Sequence, residues 1–245
     1  MPETPLTDAI VALTTYANET SGADDRTLSD AVATLVAGYG QGGGYTIDDI
    51  AGGAPTGAIT ITAAIIVKNA FSDKTGITSV SAPNCTNIYN NAFYGCSGIT
   101  SISFPELTTV GTYVFQGCSG LTAVAFPKLT SHGTTRMLAS CTNLVTADMG
   151  TATGIDSQFL YQSTKIRTLI LRKSDSVVTL NNWAVADLGG IYSNPTSSTI
   201  YVPNALLSAY QSAAKWSSAY SAGVTFTKIE GSIYETQYAD GTPIQ

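Results

Sequence analysis

Charge is scarce in this chain. Asp, Glu, Lys and Arg make up 11% of its 245 residues, against roughly 25% in ordinary soluble domains. The 17 acidic and 11 basic residues leave a formal net charge of -6. Lys and Arg are scattered, and the one local cluster, Arg167, Arg172 and Lys173, reads as a solvated rim. Phosphate backbones and anionic lipid both require clustered Lys and Arg, so nucleic acid and membrane surfaces are excluded as partners. Long hydrophobic runs are missing as well. The most apolar stretch, Ala58 to Val67, is far shorter than the ~20 residues of a membrane-spanning helix, and its β-branched residues suit a core strand. Met1 to Ile10 has no basic start followed by an apolar run, so no classical signal peptide is visible.

Catalytic residue types are equally thin. There is one histidine, His132, on which any His-dependent acid-base or triad chemistry would have to centre. It stands in a sequence slot otherwise held by Ile88, Val110 and Ile155, which reads as a coil-edge position. Cys96, Cys118 and Cys141 are 22 and 23 residues apart, unlike the short C-x-x-C pairs of zinc or redox motifs. They read as a column of small buried side chains, with a metal or disulfide role as the competing reading. Cys85 falls in a different slot, shared with Leu107 and Leu129. Gly38 to Gly43 matches G-x-G-x-x-G but follows a helical pattern where a dinucleotide site needs a preceding strand, so it reads as linker. Glu106, Asp148, Asp156 and Asp175 are the carboxylates a glycosidase would draw on; none forms a recognisable pair, and all four read as solvated. The expectation is a non-enzyme with no cofactor and no metal.

What the chain does have is a repeat. Asn91-Ala-Phe-Tyr-Gly-Cys-Ser-Gly-Ile-Thr-Ser-Ile-Ser-Phe-Pro-Glu-Leu-Thr returns 22 residues later as Tyr113-Val-Phe-Gln-Gly-Cys-Ser-Gly-Leu-Thr-Ala-Val-Ala-Phe-Pro-Lys-Leu-Thr. A large apolar slot recurs at Phe71, Phe93, Phe115, Leu138 and then Phe159 or Leu160. Three more slots run parallel to it: Ile77, Ile99, Leu121, Leu144, Ile166; Val80, Ile102, Val124, Ala147, Leu169; and Ala82, Phe104, Phe126, Met149, Leu171. The last two slots are two residues apart, which is strand spacing, so Ile102 and Phe104 share one face while Ser101 and Ser103 share the other. Strands from successive coils then stack in parallel at ~4.8 Å, and no coil buries its apolar side alone. Pro83, Pro105 and Pro127 close each strand at the same place.

The pattern A-F-x-G-C-S-G-[IL]-T-x-[IV]-x-F-P-x-L-T resembles the BspA-like, Treponema-type leucine-rich repeat, and the resemblance covers roughly Ile59 to Leu180. It implies an α/β repeat solenoid, a right-handed coil with short parallel strands. The later copies depart from it: Gly150 and Arg172 replace the proline, and Ser163 replaces the cysteine.

The ends differ from the repeats. Leu6, Ile10, Leu13, Ala17 and Leu28, Val32, Leu35, Tyr39 each follow 4-3-4 spacing, which predicts an N-terminal helical hairpin over 1–40. Helices of ~12 residues need a partner to be stable, so this hairpin is also a candidate for self-association. A Gly-rich linker is expected over 41–57, the solenoid over 58–199, and a C-terminal cap over 200–245. The cap combines a strand from Thr199, a helix carrying Leu206, Leu207, Tyr210 and Trp216, and a last strand within Gly223 to Ile229. A helical hairpin, a glycine linker and such repeats together resemble proteins of gut bacterial surfaces and prophages. The resemblance implies an extracellular, cell-surface or virion location and a partner that is a protein or glycan on a host or bacterial surface. The candidate binding surface comprises the outward strand residues Ser79, Ser81, Ser101, Ser103 and Thr122, with Tyr89, Tyr94, Tyr113 and Tyr161 as aromatic anchors. The alternative is a structural phage component in which the solenoid is a spacer or display scaffold.

Overall fold

The computed structural model of the chain describes residues 55–130, 135–156, 158–180 and 188–244. The hairpin expected over 1–40, most of the linker expected over 41–57, and His132 lie outside them.

Each coil contributes one main strand, and most contribute a second, shorter one. In chain order these are β1 (Gly57–Thr60) and β2 (Ile65–Ile66), β3 (Ile77–Ser81) and β4 (Asn87–Ile88), β5 (Ser101–Ser103) and β6 (Thr109–Val110), and β7 (Ala123–Ala125). They continue as β8 (Thr146–Asp148) and β9 (Gly154–Ile155), β10 (Thr168–Ile170) and β11 (Thr179–Leu180), β12 (Thr199–Val202), and β13 (Thr225–Lys228). The main strands form two parallel sheets, β1-β3-β5 and β13-β12-β10-β8-β7, and the short strands stack as β2-β4-β6 and β11-β9. A coil therefore has a strand side, a short-strand side and a turn side.

The parallel register follows the repeat. Val80 pairs with Ile102, and Val124, Ala147, Leu169, Ile200 and Phe226 align across five strands, all turned into the core. Between β3 and β5 the Ala82 N–H still donates to the Ser103 carbonyl at 2.9 Å, and Pro83, which has no N–H to give, ends the ladder at the next residue. The rings of Phe71, Phe93 and Phe115 stack at 5.1 and 5.4 Å, Phe126 stacks on Phe115 at 5.9 Å, and Phe104 lies tilted against Phe93 and Phe115. The choice between Phe159 and Leu160 is made by the backbone. The N–H groups of Phe71, Phe93 and Phe115 donate to the carbonyls of Ala92, Val114 and Met137, each one residue before the next slot, and Leu138 N–H donates to Phe159. Leu160 therefore continues the slot, and Phe159 occupies the position of Ala92, Val114 and Met137.

The turns are built from two left-handed positions per coil. One column is Asn69, Asn91, Tyr113, Arg136 and Gln158; the other is Asp73, Gly95, Gly117, Ser140 and Gln162, all with positive φ. Asparagine and glycine suit that conformation, and stacking against neighbouring coils holds the other residue types in it.

After β11 the chain forms a single helical turn α1 (Gly190–Ser193), then β12, α2 (Leu207–Ser212), α3 (Trp216–Ser221) and β13. The one helix expected through Leu206 and Trp216 is thus two, separated at Lys215, whose φ of 70° breaks the helical path. The break lets both aromatics reach one residue: the Val178 N–H donates to the Tyr210 hydroxyl at 2.9 Å, and Trp216 Nε1 donates to the Val178 carbonyl at 2.7 Å.

Candidate functional site

The outward side chains of the main strands form two columns. One runs Ala58, Ser79, Ser101, Ala123, Thr146, Thr168, Thr199, Thr225; the other runs Thr60, Ser81, Ser103, Ala125, Asp148, Ile170, Tyr201, Thr227. Ser79 lies opposite Ser101, and Ser81 opposite Ser103, on adjacent strands. Ser81, Ser101 and Ser103 are exposed and Ser79 is half-buried. None of the four hydroxyls donates to another described residue, which leaves a two-by-two array of donors and acceptors on a rigid sheet. Thr122 is exposed one residue before β7, in line with Thr78 and Thr100, and the Thr100 side chain ties two coils together: its Oγ1 donates to the Thr78 carbonyl at 3.1 Å.

The tyrosines do not join this array. Tyr89 follows β4, and Tyr94, Tyr113 and Tyr161 lie in the turns of three coils, so all four belong to the turn side. Tyr94 and Tyr161 are exposed, and the Arg136 guanidinium sits 5.6 Å from the Tyr161 ring.

Beyond Ser103 the strand face changes character. Ala125, Asp148 and Ile170, outward by alternation, are buried. Residues following β13 reach this face at Asp148, Arg172 and Tyr201. Tyr234 packs edge-on against Tyr201 at 4.8 Å, and Arg172 donates through Nη1 to the Tyr234 carbonyl at 2.7 Å and through Nη2 to the Gln237 carbonyl at 3.0 Å. The guanidinium also lies 5.0 Å from the Tyr238 ring. It grips Asp148 with Nε and Nη2 at 2.8 and 2.6 Å from Oδ2, and Asp148 accepts further bonds from the Gly150 and Ala239 N–H groups. Burial pushes the Asp148 carboxyl up, while the Arg172 guanidinium and these N–H donors pull it down.

This corrects two expectations. Asp148 is not a solvated carboxylate and Arg172 is not a solvated rim residue, because the segment after β13 folds back over both. Glu106 and Asp175 are at the surface, paired with Lys128 and Lys173. None of these three carboxylates is unpaired.

The cysteines form part of the core. Cys96, Cys118 and Cys141 are buried and free, and their Sγ atoms donate to the carbonyls of Phe71, Phe93 and Phe115 at 2.9, 3.2 and 3.2 Å. Ser163 makes the same bond with oxygen, to Leu138 at 2.6 Å. Burial raises the thiols of Cys85 and Cys141 to about 12 and that of Cys96 to about 11, with Cys118 also well above its ordinary value. Among the described residues no group of three His, Cys, Asp or Glu side chains is placed to hold a metal, and no helix is long and apolar enough to cross a membrane.

The chain is similar to parts of three crystal structures at low identity. A leucine rich cell surface protein from Faecalibacterium prausnitzii A2-165 is 22% identical, with TM-score 0.48, over 59% of this chain and 38% of that one. The T. pallidum leucine rich repeat protein is 15% identical, with TM-score 0.40, over 69% of this chain and 85% of that one. A leucine-rich repeat protein from Bacteroides ovatus ATCC 8483 is 15% identical, with TM-score 0.39, over 71% and 36%. The chain thus spans well under half the length of the first and third of these proteins. The comparison with curated proteins returned no match. The model of the BspA type leucine rich repeat region matches residues 64–188 in six copies, about half of the chain, and the stacked register seen here is that repeat folded: the chain belongs to the BspA type leucine rich repeat family.

Proposed function

We propose that the chain is a non-enzymatic recognition module, acting at a bacterial cell surface, that contacts a host protein or glycan through the strand side of its solenoid. The observation that carries this reading is the serine array of β3 and β5, four outward hydroxyls held at strand spacing with no described partner for their protons. A face of this kind selects by hydrogen-bond geometry, which suits hydroxyl-rich or main-chain groups better than charged ligands. The low charge of the whole chain supports the same chemistry. In this reading residues 1–40 serve self-association, 41–57 are the linker, 58–199 carry recognition, and 200–245 cap the end of the solenoid. Thr122 extends the array at its edge, and the turn-side tyrosines Tyr89, Tyr94, Tyr113 and Tyr161 offer a separate aromatic surface.

The test is a glycan and host-surface binding array probed with the intact chain beside a deletion of residues 1–44. Binding by both supports recognition on the solenoid. Binding by the intact chain alone moves recognition to the N-terminal segment, and binding by neither leaves the structural reading, in which the partner is another component of the same assembly.

A further inference from the structure

The strand face is built in two halves. On β3 and β5 the outward residues are serines, suited to water. On β7, β8 and β10 the second outward column is Ala125, Asp148 and Ile170, all three buried, and the segment after β13 packs onto it through Arg172 and Asp148. The segment is less committed than the surface it covers. No described residue from 231 to 244 is buried, and Ile233 is 62% exposed, whereas Asp148, which the segment contacts, is fully buried. Its own order is local: a 3-10 turn at Ile233–Glu235, one bridge from Gln237 to Pro243, and short-range bonds such as Tyr238 N–H to the Thr242 carbonyl and Ile244 N–H to the Thr236 carbonyl.

The contacts that hold it are mostly indifferent to its sequence. Arg172 binds the main-chain carbonyls of Tyr234 and Gln237, and Asp148 accepts from the Ala239 main chain. Only two side chains are read, both aromatic: Tyr234 against Tyr201 and Tyr238 against Arg172. A buried Asp–Arg pair that presents its remaining donors and acceptors to a peptide backbone is the apparatus of a peptide site.

We propose that the outer face of β8, β10 and β12 is a binding site for a peptide segment carrying two aromatic residues four positions apart, and that residues 232–244 occupy it in the free protein as a displaceable internal ligand. A partner protein's segment of that chemistry would exchange with it, uncovering nothing to water because one peptide replaces another. The internal segment is tethered and competes at high effective concentration, so exchange is suppressed until its own grip is weakened. This inference rests on the strand side being the recognition surface. The two separate experimentally, since loss of array binding on altering the serines does not depend on peptide exchange.

The experiment uses the full chain and a fluorescein-labelled peptide with the sequence of residues 232–244 as the probe, read by fluorescence anisotropy. Tyr234→Ala/Tyr238→Ala weakens the internal segment, and this variant is expected to bind the probe about tenfold or more tighter than the wild type, because more of its face is free. Adding Tyr201→Ala, which removes the ring that receives the first aromatic, is expected to abolish most of the gain. Hydrogen exchange on the wild type checks the same point without substitution: the Tyr238 and Ile244 amides are expected to exchange on the order of a hundredfold faster than that of Ile200 in β12. Equal probe binding by wild type and variant would overturn the proposal. So would exchange of Tyr238 and Ile244 only on global unfolding, which would make the segment a fixed part of the domain.

Discussion

The Ser163 hydroxyl donates to the Leu138 carbonyl at 2.6 Å and accepts from the Cys141 N–H at 3.0 Å. In the three preceding coils the donor to the equivalent carbonyl is a cysteine sulfur. The departure from the repeat at Ser163 is thus a substitution of oxygen for sulfur within one inter-coil bond. Ser163→Ala leaves a buried carbonyl and a buried N–H without partners and is expected to cost about 1–3 kcal/mol, while Ser163→Cys restores the pattern and is expected to cost under about 1 kcal/mol. Urea unfolding of the two variants checks the difference.

Thiol chemistry offers a second check. The native thiols titrate above a free cysteine, whose value is about 8.5, so the unfolded chain loses these protons first as pH rises. The native state then holds more protons than the unfolded one, and stability is expected to fall with rising pH above about 8.5. At pH 8 iodoacetamide is expected to modify the four cysteines only at the rate of unfolding. Fast stoichiometric alkylation of the native protein would count against their burial.

Glycines of the same repeat differ sharply in what they tolerate. A Cβ on Gly98 would lie 2.1 Å from the Thr75 carbonyl oxygen and 2.8 Å from that of Ile77, both backbone atoms of the coil before. Gly98→Ala must push coils apart and is expected to cost about 2 kcal/mol or more. A Cβ on Gly117 meets nothing nearer than 3.4 Å, and Asp73, Ser140 and Gln162 already occupy its left-handed column. Gly117→Asn is therefore expected to cost about 1 kcal/mol or less, since asparagine accepts that conformation. Thermal melts rank the two.

Removing one member of the buried ion pair is predicted to be worse than removing both. Arg172→Leu strands the Asp148 charge and is expected to cost about 3–5 kcal/mol, and adding Asp148→Ala is expected to recover part of it. A double-mutant cycle in urea measures the coupling.

The repeat made most of the coil readable in advance, because each slot reappears at a fixed interval and strand alternation separates Ile102 and Phe104 from Ser101 and Ser103. Where two neighbours could fill a slot, as with Phe159 and Leu160, hydrophobicity alone did not choose; the inter-coil backbone ladder did. The sequence marks the tyrosines as aromatic anchors but does not show on which side of the coil they fall, since that depends on the left-handed turn residues. Least legible was the covered half of the face. Arg172 lies 24 residues from Asp148 and meets the Tyr234 and Gln237 carbonyls from 62 and 65 residues away, and no local pattern encodes such a contact. Its one visible sign is Arg172 standing where the first three coils have proline.

In the proposed function the serine array of the strand side does the recognising. The measurement that tests this most directly is the affinity of the Ser81→Arg/Ser103→Arg variant for a ligand found on the array, alongside circular dichroism and a melt to show that the fold is intact. Both serines are exposed on the sheet, so the variant is expected to melt as the wild type does and to bind at least about tenfold more weakly, each lost hydrogen bond being worth about 0.5–1.5 kcal/mol before the steric effect of arginine. An intact variant that binds with wild-type affinity would contradict the account.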